Sequence, residues 1–174
     1  MDELFDTYTR EGEYLGVKTK KECHSKEATF YHKPAWTWIY NSKGEFLIQK
    51  RAKCKKNFPN CWDMPCAGHI DAGESIIQGV IREAKEEIGI DITEQDCEFK
   101  FEYIMDWAKE IGQVYFIKCD KDISEFTIAE NEVAQIKWVS FDEIRKLIYS
   151  DEWVPMDIEY KDKVINEFKE LLNK

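Results

Sequence analysis

The sequence predicts a single α/β domain, and three observations carry that prediction. Strand-like and helix-like runs interleave along the whole chain, two capping signals open helices (Ser75-Ile-Ile-Gln78 and Ser140-Phe-Asp-Glu143), and no repeat, low-complexity tract or Pro/Gly-rich linker divides it. A chain of 174 residues with 43% hydrophobic content has the material for one core without disulfides or a structural metal.

The elements follow in order. Glu3 to Tyr8 and Tyr14 to Val17 flank Glu11-Gly12 and predict an N-terminal β-hairpin, followed by a short helix around Lys20 to Glu27. Aromatic and β-branched residues from Trp36 to Tyr40, the punctuation Asn41-Ser-Lys-Gly44 and the run Glu45 to Gln49 predict a second hairpin, which leads into a basic loop, Lys50 to Lys56. Ser75 is placed to cap a helix in which Ile77, Val80, Ile81, Ala84 and Ile88 recur at helical spacing, and Gly89 stops it. Phe99 to Met105 and Val114 to Lys118 read as strands with Gly112 in the turn between them, and Val133 to Val139 as another. The second capping box opens a helix to about Tyr149, Ser150 to Pro155 reads as a loop, and a last helix near Asp157 to Leu172 is expected to carry Ile158, Ile165, Phe168 and Leu172 inward.

Composition excludes several function classes. A net charge of −10 argues against nucleic-acid binding, which needs excess Lys and Arg, and suits cation capture. No apolar run approaches the roughly 18 residues that a membrane span requires, and the acidic start Met1-Asp-Glu-Leu-Phe-Asp is unlike a secretory signal, so a cytoplasmic protein with no membrane partner is expected. The six cysteines are scattered without a repeated CxxC pair, as reduced thiols are.

The chemistry concentrates in four carboxylates: Glu74 just before the predicted helix, and Glu83, Glu86 and Glu87 on it. The last three stand at i, i+3 and i+4, so they share one helix face and repel one another unless a cation or a basic side chain such as Arg82 intervenes. An all-oxygen, multi-carboxylate site is what Mg²⁺ or Mn²⁺ prefers, whereas Zn²⁺ favours His or Cys. A solvated acidic face is the ordinary meaning of such a cluster; the surrounding spacing overturns it.

From Gly68 the chain runs Gly, five residues, Glu74, seven residues, Arg82-Glu83-Ala84-Lys85-Glu86-Glu87-Ile88-Gly89-Ile90. This resembles the box of the Nudix hydrolase family at every fixed position, with Ala84 standing where the pattern has a large aliphatic residue. The resemblance implies an α/β/α sandwich with a mixed β-sheet, the box at residues 68–90 of one Nudix domain spanning 1–174, and an N-terminal hairpin and C-terminal helix around it. It implies Mg²⁺ (or Mn²⁺) held by Glu83 and Glu87, with Glu86 a further ligand or the water-activating base and the Gly68 carbonyl joining them. Glu74 and Arg82 look like the family's structural salt bridge. A later glutamate often assists in this family, and Glu130 or Glu132 are the candidates. The implied reaction is cleavage of a phosphoanhydride bond in a small-molecule diphosphate by metal-activated water; a homodimer is compatible with the family.

Outside the box, Tyr31-His-Lys-Pro-Ala-Trp36, Gln49-Lys-Arg-Ala-Lys-Cys-Lys-Lys56, Phe58-Pro-Asn-Cys-Trp62 and Gly68-His69 are similar to type-one isopentenyl-diphosphate isomerase. That likeness places Arg51 and Lys55 on a diphosphate and aligns His32 and His69 with metal-binding histidines, as a candidate second metal site, with His24 offset. The isomerase also needs a Cys directly before the Gly-His and a Glu on a later strand. Here Ala67 and either Ile111 or Gly112 stand at those places, with Cys66 one residue early and so turned to the opposite face of an extended segment. Hydrolysis is therefore expected, with isomerisation and a non-catalytic nucleotide- or diphosphate-binding module as the alternatives. Trp36, Trp38, Trp62 and Trp107 do not choose a substrate.

Overall fold

The computed structural model describes residues 2–173. Among the described residues ten strands and four α-helices follow one another as β1 (Leu4–Tyr8), β2 (Tyr14–Thr19), α1 (Lys20–Cys23), β3 (Tyr31–His32), β4 (Pro34–Tyr40), β5 (Phe46–Arg51), β6 (Trp62–Asp63), β7 (Cys66–His69), α2 (Ile76–Ile88), β8 (Cys97–Met105), β9 (Glu110–Lys118), β10 (Val133–Val139), α3 (Phe141–Leu147) and α4 (Ile158–Leu172). All strands belong to one sheet in the order β10-β5-β4-β9-β3-β1-β2, with β6 on β5, β7 on β4 and β8 on β9. The sheet is mixed: β9 runs parallel to β4 and β3, and the hairpin pairs are antiparallel.

Strand alternation divides the core into two layers. Trp36 and Trp38 of β4, Phe46 and Ile48 of β5 and Val114 and Phe116 of β9 pack on one face against Ile144 of α3 and Tyr160, Val164 and Phe168 of α4. Ala35, Ile39, Leu47 and Ile117 face the other way, onto Val80, Ala84 and Ile88 of α2. The result is the expected α/β/α sandwich. The small Ala84 fits because it is wholly buried against the sheet.

Two local expectations are corrected. Gly112 lies inside β9, opposite Tyr103, and the turn is made by residues 106–109, where Lys109 takes φ 57°. Glycine is needed at 112 for closeness rather than for turning: a Cβ there would sit 2.2 Å from the Trp36 ring. On α4 the inward stripe is Tyr160, Val164, Ile165 and Phe168, while Ile158 and Leu172, at the two ends of the helix, are exposed. Periodicity fixes a helical face best in the middle of a helix, where a neighbour covers it. Among the described residues no helix is long and apolar enough to cross a membrane.

Candidate active site and metal centre

Helix α2 begins at a complete capping box: the Ser75 side chain accepts from the Gln78 N–H and the Gln78 side chain accepts from the Ser75 N–H. It ends where Gly89 adopts a left-handed conformation, φ 73°, against Thr127. Between these caps Arg82 organises the loop and the helix. Its Nε and Nη2 donate to the two oxygens of Glu74 at 3.1 and 2.8 Å, Nη2 also reaches the His69 carbonyl at 2.8 Å, and Nη1 donates to Glu83 at 2.8 Å and Glu86 at 3.2 Å. Burial alone would raise the Glu74 pKa, but the Arg82 hydrogen bonds and the Asp71 N–H outweigh it and hold it below its ordinary value. A Cβ at Gly68 would fall 1.9 Å from Glu83 Cδ, so glycine lets this carboxylate lie directly against the backbone of β7.

The three helix glutamates occupy different depths. Glu87 reaches inward, its Oε2 accepting from the Ala67 N–H at 3.4 Å and from Gln49 Nε2 at 3.5 Å. Burial, then repulsion from Glu83 and Asp63, pushes its pKa up to about 8. Burial likewise raises Glu83, against the pull of Arg82. Glu86 stands at the rim, with its side chain 60% exposed. Two crowded, desolvated carboxylates beside a backbone approach form a donor set that fits a hard divalent cation.

Of the remaining candidates, Glu132 is near enough to Glu87 to raise its pKa. Lys55 is ion-paired with Glu132, so the two meet at one point, whereas Glu130 is exposed. Arg51 is turned inward: Nη1 donates to the buried Asp63 at 3.0 Å, and Nε and Nη2 to the Asn57 carbonyl. Burial raises the Asp63 pKa to about 6 even with that guanidinium beside it.

A second cluster lies on the other side of β7. One nitrogen from each of His24, His32 and His69 and one oxygen of Glu110 all lie within 4.8 Å of one another. His24 Nε2 and His69 Nε2 are 3.2 Å apart, and His32 Nε2 is 3.6 Å from Glu110 Oε1. Phe5 stacks on the His69 and His32 rings. His32 is 1% exposed and neither of its ring nitrogens has a hydrogen-bond partner. Burial, reinforced by His24, lowers its pKa to about 3, while burial and Asp63 push Glu110 up to about 8. Three imidazoles converging with one carboxyl group, one of them with both ring nitrogens unpartnered, fit Zn²⁺ or Mn²⁺. This corrects two expectations, since His24 joins the set rather than lying offset, and Glu110, passed over in the sequence, completes it. The parallel pairing of β3 with β9, which sets His32 opposite Glu110, is what assembles the set.

The positions that isomerase chemistry requires are occupied otherwise. The Cys66 thiol is buried in the layer beneath α2, its pKa raised by burial and by Glu87 and Glu83, while Ala67 packs toward the opposite layer. Beside Ala67's layer, the Trp36 ring fills the space where a side chain at 112 would project.

The family model described as NUDIX domain matches residues 30–157. A Nudix hydrolase of Listeria innocua is 37% identical over 117 residues, covering 67% of this chain and 68% of its own. An isopentenyl-diphosphate Delta-isomerase of Shigella flexneri is 27% identical over 146 residues, covering 82% and 80%. Among solved structures, a Deinococcus radiodurans protein superimposes with TM-score 0.73 at 18% identity, over 97% of this chain and 98% of that one, and a MutT protein of Methanosarcina mazei with TM-score 0.62 at 25% identity, over 83% and 96%.

Proposed function

The chain belongs to the Nudix family, and from that premise we propose that it is a Mg²⁺- or Mn²⁺-dependent pyrophosphohydrolase, one domain throughout, acting on a small organic or nucleoside-linked diphosphate. The observation that carries this is the pairing of Glu83 and Glu87, desolvated and mutually repelling beside Gly68. These residues would hold the cation, with the Gly68 carbonyl as a further ligand. When bound, the cation neutralises diphosphate charge and lowers the pKa of a coordinated water. Arg82 and Glu74 fix α2 against its loop, so that Glu83 keeps its place as charge builds up in the site. The base that takes the proton is Glu86, at the open rim, or a later glutamate, for which Glu132, paired with Lys55, is preferred to Glu130. A substrate phosphate competes with Glu132 for Lys55 and with Asp63 for Arg51.

His24, His32, His69 and Glu110 hold a second, softer cation, for which Zn²⁺ is the best match to three nitrogens and one oxygen. Isomerisation is disfavoured because Ala67 and Gly112 offer neither thiol nor carboxylate.

The test is phosphate and pyrophosphate release from nucleoside di- and triphosphates, dinucleotide polyphosphates, nucleotide sugars and isopentenyl diphosphate, with and without Mg²⁺ or Mn²⁺. Metal-dependent release is expected from at least one of these classes. No release, with dimethylallyl diphosphate formed from isopentenyl diphosphate, would replace hydrolase by isomerase; binding without turnover would leave a binding module.

A further inference from the structure

Gln49 is a side chain in the site whose presence the box does not explain. It sits on β5, 3% exposed, opposite Asp63 of β6, and on the same face as Leu47, which packs under α2. Its Nε2 donates to Glu87 Oε2, while its own Oε1 is buried with no hydrogen-bond partner. A half-satisfied amide is unfavourable in a strand interior, because a buried acceptor without a partner has lost its water and gained nothing in exchange, and an aliphatic side chain would fill the same place without that penalty. The β5 positions that precede it, Phe46, Leu47 and Ile48, are aliphatic or aromatic, and only beyond it does the strand turn basic, at Lys50 and Arg51.

The arrangement around Glu87 shows what the amide does. Oε2 of Glu87 receives both of its protein hydrogen bonds, one from the Ala67 N–H and one from Gln49. With that oxygen tethered on the sheet side, the carboxylate plane is set and Oε1 is left for the cation that Glu83 and Glu87 share. The two tethers come from different strands, β7 and β5, so together they define a direction that neither defines alone. Outer partners of this kind orient metal ligands, and their loss typically weakens metal affinity or activity 10–100-fold.

We propose that Gln49 is a positioning residue for Glu87, aiming its free oxygen at the catalytic cation. The inference rests on the pyrophosphohydrolase reading, through the assignment of Glu87 as a ligand. Gln49→Met keeps length and shape but removes the donor. Gln49→Asn keeps the amide and withdraws it by one methylene from Glu87.

The experiment titrates Mn²⁺ into substrate-free protein whose histidine centre has been filled with Zn²⁺, and reads free Mn²⁺ by its electron paramagnetic resonance signal. Parent, Gln49→Met, Gln49→Asn and Glu87→Gln are compared, with near-ultraviolet circular dichroism as the check on packing. The expected result is a Kd for Mn²⁺ raised 10–100-fold in both Gln49 variants, and a kcat that recovers toward the parent's as Mn²⁺ is raised, with substrate KM at saturating Mn²⁺ unchanged. If the Met variant loses its packing signature, the Asn variant decides. Mn²⁺ affinity within twofold of the parent in a folded Gln49 variant, with affinity lost in Glu87→Gln, overturns the inference and leaves the site assignment standing. Unaltered Mn²⁺ binding in Glu87→Gln overturns both.

Discussion

Replacing Arg82 with Met removes five hydrogen bonds at once, two to Glu74 and one each to the His69 carbonyl, Glu83 and Glu86. It also leaves Glu74 and Glu83, whose side chains are 17% and 15% exposed, without their cation. Breaking a buried ion pair from one side costs about 3–5 kcal/mol. The Arg82 side chain is itself 26% exposed, so solvent screens part of this and about 2–3 kcal/mol is the reasonable loss. For a domain of this size each kcal/mol moves Tm by about 2–4 °C, which gives a fall of about 4–12 °C. Scanning calorimetry on metal-free protein measures it directly. Arg82→Lys, which keeps the charge but not the planar fork, recovers less than half of the loss. Adding Mg²⁺ stabilises Arg82→Met more than the parent, because the cation substitutes for the missing guanidinium beside Glu83. A Tm within 2 °C of the parent in metal-free buffer would show that the five contacts carry no net stability and would remove the physical argument for Arg82 as the organiser of the box.

Other expectations follow from the same geometry. Glu87→Gln lowers metal-dependent kcat at least about 100-fold, equivalent to about 2.7 kcal/mol of barrier; steady-state kinetics at saturating Mg²⁺ that match the parent would end its assignment as a ligand. In metal-free protein Glu87 and Glu110, raised to about 8 from an ordinary 4.5, stabilise the fold fully below pH 4.5 and lose that contribution as pH rises toward 8. His32, lowered to about 3 from 6.5, acts oppositely: its contribution is complete above pH 6.5 and is lost as pH falls toward 3. Denaturant midpoints in a chelator should therefore peak between these limits, and added Zn²⁺ and Mg²⁺ should flatten the alkaline side; a stability that rises steadily from pH 5 to 8 without metal would contradict the burial of the two carboxylates. Gly112→Ala destabilises by about 1–3 kcal/mol, because the added methyl meets the Trp36 ring, and an unchanged Tm would show that ring to be free to withdraw. His69→Ala protein, purified without chelator, carries less Zn²⁺ by elemental analysis than the parent; equal content would dissolve the histidine centre.

Most of what was legible in the sequence was local. The capping boxes at Ser75 and Ser140, the Val80, Ala84 and Ile88 centre of the apolar stripe of α2 and the stop at Gly89 are each written within one or two turns of chain and stand where the spacing put them, whereas Ile77 and Ile81 stay partly exposed and Ile76 packs on the sheet instead. The box glutamates were legible for the same reason, since a helix converts intervals of three and four into neighbours. Glu110 was not legible as a partner of the histidines, because nothing near it in sequence specifies that β9 runs parallel to β3 in the register that meets His32. His24 is brought in by the short helix α1 and joins His69 from a distant part of the chain. Gln49 and Asp63 were hidden in strand-like and loop-like runs, where alternation gives a face but not what the face touches. Gly112 misled because glycine marks turns more often than it marks a close approach between a strand and an aromatic ring.

The parallel pairing of β4 with β9 also governs how the molecule is made. Trp36 lies opposite Val114, and Ile117 of β9 covers part of the stripe on α2. A nascent chain that has emerged only as far as Ile90 already contains the whole box, yet its helix faces a layer missing a central strand. The site's carboxylates would at that stage remain hydrated and their tethers unformed. Joining strands so far apart in sequence is intrinsically slow and leaves apolar surface open meanwhile, so the acquisition of cation binding should trail the appearance of helix during refolding, and mutations that weaken β9 should delay the first without touching the second.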